Sequence, residues 1–301
     1  MPIILITGAS GFLGRACCEA FAAAGFSVRA LVRHPAQCGD LEGLAQAGVF
    51  LGDLPARIDP RVFEGDLAAL IHCAYTTKAA SAEEAHATNI SGTEALVRMS
   101  RAAGVRQFVF VSSLAAHLGA RSAYGRTKLQ LEQLFTAPGD VIVKPGTIIG
   151  NGGIFERFRE MIRRLPVMPL LFGDRALQIV WIGDVCHGIV ETVKQSIHGT
   201  VILAHPQPVP MREFYRGIAA ADGIAPKFLP LSGNLALSAV SLAERLGLRL
   251  PITSENLLGI KYIHYFDPNP DLTLLGIQPL DFEQSLQAMH ALGPAGRTPS
   301  P

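Results

Sequence analysis

Charged residues are scarce in this chain, and neither sign predominates. They make up 17% of the 301 residues, against roughly 25% in an average soluble domain. The 26 Lys and Arg residues balance 25 Asp and Glu residues, for a net charge of +1. This near neutrality argues against nucleic-acid binding, which usually needs a broad basic surface. The 49% of hydrophobic residues excludes an intrinsically disordered chain.

Cysteine pairs, histidine clusters and long apolar runs are also missing. The five cysteines form no C-x-x-C pair, and the nine histidines form no H-x-x-x-H or Cys/His cluster, so we expect no metal site. No apolar run approaches the ~18 residues of a membrane span. Residues 2–6 run into Thr7-Gly8 without the pattern of a signal peptide. We therefore expect a cytoplasmic protein with no integral membrane association.

The first half of the chain alternates short apolar runs with helical patterns. The candidate strands, most of them rich in β-branched or aromatic residues, are Ile3–Thr7, Ser27–Arg33, Val49–Gly52, Ala69–Cys73, Gln107–Ser112 and Val141–Lys144. The segments Phe12–Ala24, Glu83–Ala103 and Ala123–Phe135 are long enough for helices with one apolar stripe. This alternation predicts an α/β fold, a doubly wound, Rossmann-like parallel sheet covered on both faces.

The pattern changes after Gly150, where prolines cut the chain into short pieces. We expect a dinucleotide-binding domain over 1–150 and a smaller α/β substrate-binding part over 151–292 that interleaves with it. A basic helix is predicted at Phe155–Arg164, and residues 293–301 are expected to form a disordered tail. The apolar segment Leu229–Leu250 is typical of a lid or packing helix, with a membrane-surface helix as the alternative.

A glycine-rich turn follows the first predicted strand. Gly8, Gly11 and Gly14 have the spacing G-x-x-G-x-x-G and stand between that strand and an amphipathic helix. Glycines permit a tight turn and close approach of the backbone to a pyrophosphate, and the helix N-terminus presents free N–H groups to it. This context predicts a nucleotide-binding site.

The end of the second strand indicates which nucleotide is bound. An NAD-preferring fold carries an acid there, about 20 residues past the turn, whereas this chain has Arg33. A guanidinium suits a ribose 2′-phosphate, so Arg33 favours NADP, with NAD as the alternative. Asp53, after the third strand, is either an acceptor for the adenine amino group or a simple turn residue.

A tyrosine and a lysine four residues apart begin the helix after the fifth strand. Tyr124 and Lys128 share one helix face. A neighbouring ammonium lowers the pKa of a phenol, which makes Tyr124 a candidate proton donor and acceptor. The preceding strand ends in Ser112-Ser113, whose hydroxyls would reach the same place.

Together these segments resemble the extended, epimerase-like branch of the short-chain dehydrogenase/reductase superfamily. The segments that carry the resemblance are Thr7–Gly14, Asp53-Leu54, Ile71–Ala74, Asn89–Thr93, Ser112-Ser113, Tyr124 with Lys128, Lys144–Gly150 and Trp181–Val185. They cover residues 3 to about 190. Lys144 stands where the family's R-P-G-x-x-x-G segment has Arg.

The resemblance implies roles for these residues. Tyr124 would transfer the proton, and Lys128 would hold the nicotinamide ribose and lower the pKa of Tyr124. Ser113, with Ser112 as the alternative, would hydrogen-bond the reacting oxygen. Asn89 would support the active-site backbone or make only a local hydrogen bond. The residues implied in cofactor binding are Gly8, Ser10, Gly11, Phe12, Leu13, Gly14, Arg33, Asp53, Leu54, Ala74, Asn89, Ser112, Tyr124, Lys128, Pro145, Thr147 and Ile148.

Two departures from the family pattern restrict the reaction. Ser113 is followed by Leu114-Ala115 rather than by Asp-Glu, which argues against a sugar-nucleotide dehydratase. Leu177–Ile179 lacks the Arg with which sugar-nucleotide epimerases hold a diphosphate. An arginine elsewhere either substitutes for it or belongs to a solvated helix face; the candidates are Arg157, Arg159, Arg163, Arg164 and Arg175.

We therefore predict an NADP-dependent oxidoreductase acting on a carbonyl or secondary alcohol of a small molecule. The alternatives are a cofactor-retaining epimerase and a non-catalytic NADP(H)-binding protein. Retention of both Tyr124 and Lys128 argues against the second alternative. The resemblance also implies a homodimer formed by the helices Glu83–Ala103 and Ala123–Phe135.

Overall fold

A computed structural model describes residues 1–55, 57–77, 82–248, 250 and 252–292, without the side chains of residues 40 and 82. Its strands are β1 Ile3–Thr7, β2 Ser27–Val32, β3 Val49–Asp53, β4 Arg57–Ile58, β5 Leu67–His72, β6 Gln107–Val111, β7 Asp140–Pro145, β8 Thr147–Ile149, β9 Val167–Leu171, β10 Ala176–Leu177, β11 Ile179–Trp181, β12 Gly199–Leu203, β13 Val209–Pro210 and β14 Lys227–Leu231. Its α-helices are α1 Phe12–Ala23, α2 Ala82–His86, α3 Gly92–Ala102, α4 Ala123–Glu132, α5 Gly153–Arg164, α6 Ile182–Lys194, α7 Met211–Ala221, α8 Gly233–Arg245, α9 Ser254–Lys261, α10 Asn269–Leu275 and α11 Phe282–Ala291.

The central sheet has the strand order β12-β7-β6-β5-β1-β2-β3-β4. Every pair in it is parallel except β3 with β4. The order reverses between β1 and β5, so the chain leaves these two strands in opposite directions. Ligands of open α/β sheets bind outside the carboxyl ends of the strands at such a point. The prediction of a doubly wound parallel sheet is confirmed.

Alternate residues of the strands face two separate cores. Ile4 and Ile6 of β1 point into the core that contains α1 and α6, whereas Leu5 points into the core that contains α3 and α4. The same alternation holds on β6, where Val109 and Phe110 face opposite sides. Burial on both faces explains why these strands read as continuous apolar runs in the sequence.

The predicted elements of the first half agree with the observed ones within three residues at nearly every end. The segment expected as one helix over Glu83–Ala103 is α2, a π-helical turn over Ala87–Ser91, and α3. The π-helical turn contains the buried Asn89, and such turns are frequent at functional sites.

The C-terminal part is built around three two-stranded sheets. β8 pairs with β11, β9 with β14, and β10 with β13. One strand from this part, β12, extends the central sheet by pairing with β7. The division into a 1–150 domain and a 151–292 part stays a prediction, and the expected tail 293–301 lies outside the described residues.

The apolar segment Leu229–Leu250 is not the single helix that the sequence suggested. Leu229 and Leu231 belong to β14, and α8 begins only at Gly233. Pro230 does not fit a helix interior, and the side chain of Ser232 caps α8 by accepting from the Leu235 N–H. Among the described residues, no helix has both the length and the apolar character needed to cross a bilayer.

A buried histidine ties the ends of β1 and β5 to α3. The Thr93 hydroxyl donates to the Asn89 carbonyl, so its oxygen accepts from His72 Nε2 at 3.0 Å, and His72 Nδ1 accepts from the Thr7 hydroxyl at 2.7 Å. Burial, reinforced by the charge of Lys128, lowers the pKa of His72 to about 3. His72 is therefore neutral in the folded protein at neutral pH.

We expect His72 to make the protein less stable in mild acid. The unfolded chain takes up this proton near pH 6.5 and the folded chain only near pH 3, so the stability contributed by neutral His72 is complete above pH 6.5 and declines below it. The slope is about 1.4 kcal/mol per pH unit. Urea unfolding between pH 7 and pH 4.5 measures it. His72→Gln should flatten the curve by that slope; an unchanged slope would contradict the assignment.

Candidate active site

The turn after β1 brings three glycines close together. Gly8 has φ +65°, and its carbonyl accepts a hydrogen bond of 2.9 Å from the Gly11 N–H. A Cβ on Gly14 would lie 2.1 Å from the Gly8 carbonyl oxygen, and a Cβ on Gly8 would lie 2.8 Å from Ala74 Cα. The turn therefore requires glycine at positions 8 and 14, and it touches the loop after β5.

The N-terminus of α1 is open to a ligand. Its N-cap is Gly11, no side chain caps the helix, and its first turn has no acidic residue. The free N–H groups and the helix dipole therefore present positive charge at the carboxyl end of β1. Ser10 and Leu13 are half-buried beside this turn. The ring of Phe12 packs against Gly150, Gly152 and Gly153. The turn of Gly8, Gly11 and Gly14, which we call the glycine cradle, and this helix N-terminus together fit the pyrophosphate of a dinucleotide.

The ends of β2 and β3 lie beside this turn. The Leu31 carbonyl accepts a 3.5 Å hydrogen bond from the Ala9 N–H, and Arg33 follows two residues later with an exposed side chain. Asp53 ends β3 and is exposed as well. Leu54 lies against the start of α3, since a Cβ on Gly92 would be 2.7 Å from the Leu54 Cβ. A cation, Arg33, therefore stands just past the end of β2, beside the glycine turn.

Tyr124 and Ser113 form a hydroxyl pair past the carboxyl end of β6. Ser122 caps α4 by accepting from the Gly125 N–H, which places Tyr124 in the first turn of that helix. Tyr124 is 37% exposed, and the burial of the rest of its side chain raises its pKa, although the neighbouring Ser113 side chain acts to lower that pKa. The shift is opposite to the one expected from Lys128: its largest cause is burial, and the effect that opposes it comes from Ser113. The phenol is accordingly protonated at neutral pH.

Lys128 is buried on the same face of α4. Its ammonium donates to the Val111 carbonyl at 2.7 Å and lies over the ring of Tyr75, 4.5 Å from the centroid. Burial lowers the pKa of Lys128 to about 7, against the opposing influence of Cys73 and Glu132. The ring of Tyr75 also meets that of Tyr124 edge to face, with centroids 5.3 Å apart. Tyr75 thus contacts two of the predicted catalytic residues, Tyr124 and Lys128.

The two neighbouring serines have different partners. The Ser112 hydroxyl donates to Glu132 at 2.5 Å, and Glu132 forms a buried ion pair with Lys144 at 3.0 Å. The Lys144 ammonium also donates to the Ala116 carbonyl. Ser113 instead accepts from the Ala115 N–H and meets Tyr124. The Ser112–Glu132–Lys144 network thus binds β6, α4 and β7 together, and of the two serines it is Ser113 that meets Tyr124.

Asn89 holds the backbone of the loop after β5. Its Oδ1 accepts from the Thr76 N–H at 2.8 Å and its Nδ2 donates to the Thr76 carbonyl at 3.0 Å. This two-point contact reaches 13 residues back along the chain, so it is not a merely local hydrogen bond. It supports the segment that contains Ala74 and Tyr75.

The segment after β7 joins the sheet to the C-terminal part. Pro145 is buried, and the Thr147 N–H donates to the Gln178 carbonyl at 2.8 Å. Ile148 pairs with Val180 in the β8–β11 sheet. The Gln178 side chain forms two hydrogen bonds with the Phe266 backbone, of 2.8 and 2.9 Å. At the place where the family resemblance implied an Arg, this chain therefore has a glutamine that positions Phe266.

A cavity of about 590 Å³ lies beside the loop that follows Ser113. Its lining is aromatic, aliphatic and basic: Ala116, His117, Leu118, Gly119, Leu129, Lys144, Arg175, Lys261, Tyr262, Ile263, His264 and Phe266. The rings of His117 and His264 stack with centroids 5.3 Å apart. In the described part of the chain, Lys144 pairs with Glu132, whereas Arg175 and Lys261 pair with no carboxylate.

The structure separates the five arginines that the sequence left open. Arg159 and Arg163 bind Asp222 of the α7 C-terminus, and Arg164 pairs with Glu160 on the surface of α5. Arg157 is exposed on the same helix. Only Arg175 of this set lines the cavity.

Three residues of the site escaped the sequence patterns. Tyr75, Glu132 and Gln178 contact the predicted residues from other elements. Tyr75 follows Ala74 at the carboxyl end of β5, and this position could have identified it as a site residue. Glu132 lies one helical turn past Lys128, which is a weaker indication. The sequence singled out the segment of Gln178 only for its missing Arg and gave no sign of the contact with Phe266.

Comparison with known proteins agrees with this geometry. The sequence model described as "NAD dependent epimerase/dehydratase family" matches residues 4–201. The chain is 33% identical over 257 residues to ceramide reductase of Caulobacter vibrioides, covering 80% of this chain and 77% of that protein. It is 28% identical over 267 residues to 4-hydroxy-2-methyl-3-oxo-4-farnesyl-3,4-dihydroquinoline-1-oxide ketoreductase of Stigmatella aurantiaca, with coverages of 80% and 78%.

A solved structure shares the fold. UDP-glucose 4-epimerase of Thermus thermophilus, in complex with NAD, superposes with a TM-score of 0.69 at 20% identity, covering 95% of this chain and 96% of that one. The open N-terminus of α1, the glycine cradle and the Tyr124–Ser113 pair are compatible with such a dinucleotide. The chain belongs to the NAD dependent epimerase/dehydratase family and is an NAD(P)-dependent enzyme of the short-chain dehydrogenase/reductase type.

Proposed function

We propose that this enzyme is an NADP-dependent oxidoreductase that acts on a carbonyl or secondary alcohol of a molecule with a long apolar chain. The observation that carries the proposal is the hydroxyl pair of Tyr124 and Ser113, past the carboxyl end of β6. This pair provides a proton donor and a second hydrogen-bonding group to one substrate oxygen.

The bound nicotinamide would supply or accept the hydride, and the protein's residues would handle the proton and the positioning. Tyr124, whose raised pKa keeps the phenol protonated at neutral pH, would donate its proton to the carbonyl oxygen during reduction. Ser113 would hydrogen-bond the same oxygen. Lys128 and Tyr75 would support Tyr124 from the buried side. Gly8, Gly14 and the α1 N-terminus would bind the pyrophosphate.

Two observations favour oxidoreduction over epimerisation of a sugar nucleotide. Gln178 is occupied with the Phe266 backbone and offers no charge to a diphosphate. The two relatives described above are named as reductases, one of ceramide and one of a farnesyl-bearing dihydroquinoline oxide. These are molecules with long apolar chains. The aromatic and aliphatic lining of the cavity suits part of such a molecule, and Arg175 and Lys261 suit a polar end.

The proposal includes three finer statements. The exposed Arg33, with no carboxylate at its strand end, favours NADP over NAD. The five free cysteines are compatible with a reducing cytoplasm. A homodimer through the helices over Glu83–Ala103 and Ala123–Phe135 is inferred from the family resemblance; light scattering that gives a monomer at micromolar concentration would contradict it.

The test measures net consumption of NADPH by dialysed protein with a panel of long-chain ketones and sugar nucleotides. We expect consumption with a long-chain ketone. Product formation from a sugar nucleotide with no net loss of NADPH would show an epimerase instead.

In the same assay, Arg33→Ser should raise the KM for NADPH on the order of tenfold, because a charge-assisted contact to the 2′-phosphate is lost. The KM for NADH should change little.

The matched control is Arg164→Ser, an exposed arginine that pairs with Glu160 on α5. It should leave both KM values unchanged. Equal effects of Arg33→Ser on NADPH and NADH would refute the 2′-phosphate contact.

A further inference from the structure

α8 has one face packed against the protein and one face open. Ala236, Leu237 and Val240 of the packed face form an apolar cluster with Leu257 of α9 and with Phe172. Gly233 lies so close to Phe172 that a Cβ there would be 2.3 Å from its ring. The inner face thus fixes the orientation of α8.

The opposite face carries a row of apolar residues. Leu235, Ala239, Leu242 and Leu246 are spaced by four, three and four residues, which places them in one line along the helix. We call this row the leucine face. Its leucines are 73%, 59% and 70% exposed. A helix that met only water on this side would carry polar residues there.

The exposed apolar surface continues beyond the helix. Leu229 and Leu231 of β14, immediately before α8, are exposed, and so are Leu248 and Leu250 immediately after it. Exposed leucines that occur singly need no explanation, whereas a row on one helix, with further exposed leucines on the segments directly before and after it in the chain, is the kind of group found at interaction surfaces.

The charges around the leucine face are positive. The only carboxylate of α8, Glu244, turns inward, where it accepts hydrogen bonds from the N–H and the hydroxyl of Ser254. Arg245 of α8 is exposed, and Lys227 is exposed at the start of β14. On α8 itself, an apolar row flanked by a cation and without an outward carboxylate is complementary to a lipid surface, whose headgroups carry phosphates.

A second copy of the chain fits this surface less well. A symmetric contact would place the same surface of both copies face to face, so the exposed Arg245 of each copy would come near that of the other. Glu244, the only carboxylate of α8, turns inward and would not offset this repulsion. The phosphates of a bilayer supply the opposite charge.

The helix beneath the leucine face leads to the active site. α8 packs on α9, and Lys261 at the end of α9 lines the cavity together with Tyr262. Glu255 in the first turn of α9 accepts a hydrogen bond from the N–H of Ala123, the residue before Tyr124. A molecule that leaves a lipid surface at α8 would therefore be next to the cavity.

We propose that the leucine face docks the enzyme on the surface of a phospholipid bilayer, from which a substrate with an apolar chain reaches the cavity. The leucines enter the boundary between headgroups and acyl chains, and Arg245 and Lys227 meet phosphates. The docking rests on the leucine face and on the residues that flank it in β14 and after α8. The route of the substrate rests on the proposed function as well.

Flotation of the full-length protein with vesicles tests the docking. The vesicles contain phosphatidylcholine with 30% phosphatidylglycerol, about one lipid in three being anionic as in a charged membrane leaflet. They contain no substrate. We expect the wild type to float with the vesicles and the double variant Leu235→Ser/Leu242→Ser to partition at least tenfold less, because each leucine contributes about one order of magnitude when buried. The control Leu274→Ser changes a leucine of α10 with a similar exposure of 57%, and it should float like the wild type.

The outcomes separate docking from turnover. Both variants alter exposed side chains, so thermal melts should match the wild type and exclude unfolding. Failure of the wild type to float, or equal loss with Leu274→Ser, would overturn the docking. So would conversion of an oligomer to a monomer by the double variant without any vesicle binding. A protein that floats but consumes no NADPH with any ketone would contradict the proposed function and leave the docking intact.

Discussion

Replacing Tyr124 with phenylalanine is expected to lower kcat by about 10²- to 10⁴-fold, the usual contribution of a general acid or base. The substitution keeps the ring that meets Tyr75 edge to face and removes only the hydroxyl that hydrogen-bonds Ser113. NADPH binding should change little, because the glycine cradle and the α1 N-terminus are untouched. Single-turnover oxidation of bound NADPH with a long-chain ketone measures the effect, and fluorescence titration measures the affinity for NADPH.

A second tyrosine provides the control for Tyr124. Tyr215 is buried in the other core, where its ring meets Phe158 and Phe214. Tyr215→Phe removes the same hydroxyl far along the chain from the site and should leave kcat close to that of the wild type. Turnover of Tyr124→Phe at the wild-type rate would show that the catalytic assignment is wrong, whatever the behaviour of the control.

Gly14→Ala is expected to weaken nucleotide binding by about a hundredfold. The new Cβ would lie 2.1 Å from the Gly8 carbonyl oxygen and 3.0 Å from Ala9 Cα, and both are backbone atoms that can move only by opening the turn. Overpacking of this kind costs about 1–3 kcal/mol, and each 1.4 kcal/mol of lost binding is tenfold in Kd. Titration of dialysed protein with NADPH measures the change.

The control for Gly14 is Gly39→Ala. Gly39 has no atom within 4 Å of its added Cβ and does not adopt a positive φ, so this variant should bind NADPH like the wild type. Circular dichroism verifies that Gly14→Ala is folded. If it is not, Gly11→Ala, whose Cβ would lie 3.1 Å from the same oxygen, provides a milder perturbation with a smaller expected loss. Wild-type affinity in a folded Gly14→Ala protein would contradict the role of the turn.

The cofactor half of the site could be predicted because its signals are local. The turn of Gly8 to Gly14 combines its own glycines with the strand before it and the helix after it, and parallel strands place their carboxyl ends together. Arg33, Tyr124 and Ser113 follow from their places at strand ends and at the start of a helix. The observed strands and the order of the sheet agree with these expectations.

The substrate half could not be predicted in the same way. The bonds between Gln178 and Phe266 span 88 residues, and the contact between Glu255 and Ala123 spans 132. Neither pair belongs to a repeating pattern. The sequence also offered five arginines as candidates, and only packing decided that Asp222 binds Arg159 and Arg163 while Arg175 lines the cavity.

By itself, the sequence determined the doubly wound sheet, and it picked out the glycine turn and Tyr124 with Ser112-Ser113 as candidates, because periodicity and turn chemistry act over a few neighbouring residues. Tertiary structure decided the electrostatic state of that pair, since burial raises the pKa of Tyr124 where an adjacent lysine alone would lower it. It also decided which side of α8 stays open. Burial and long-range contacts depend on the whole chain packing at once, and no local pattern encodes them.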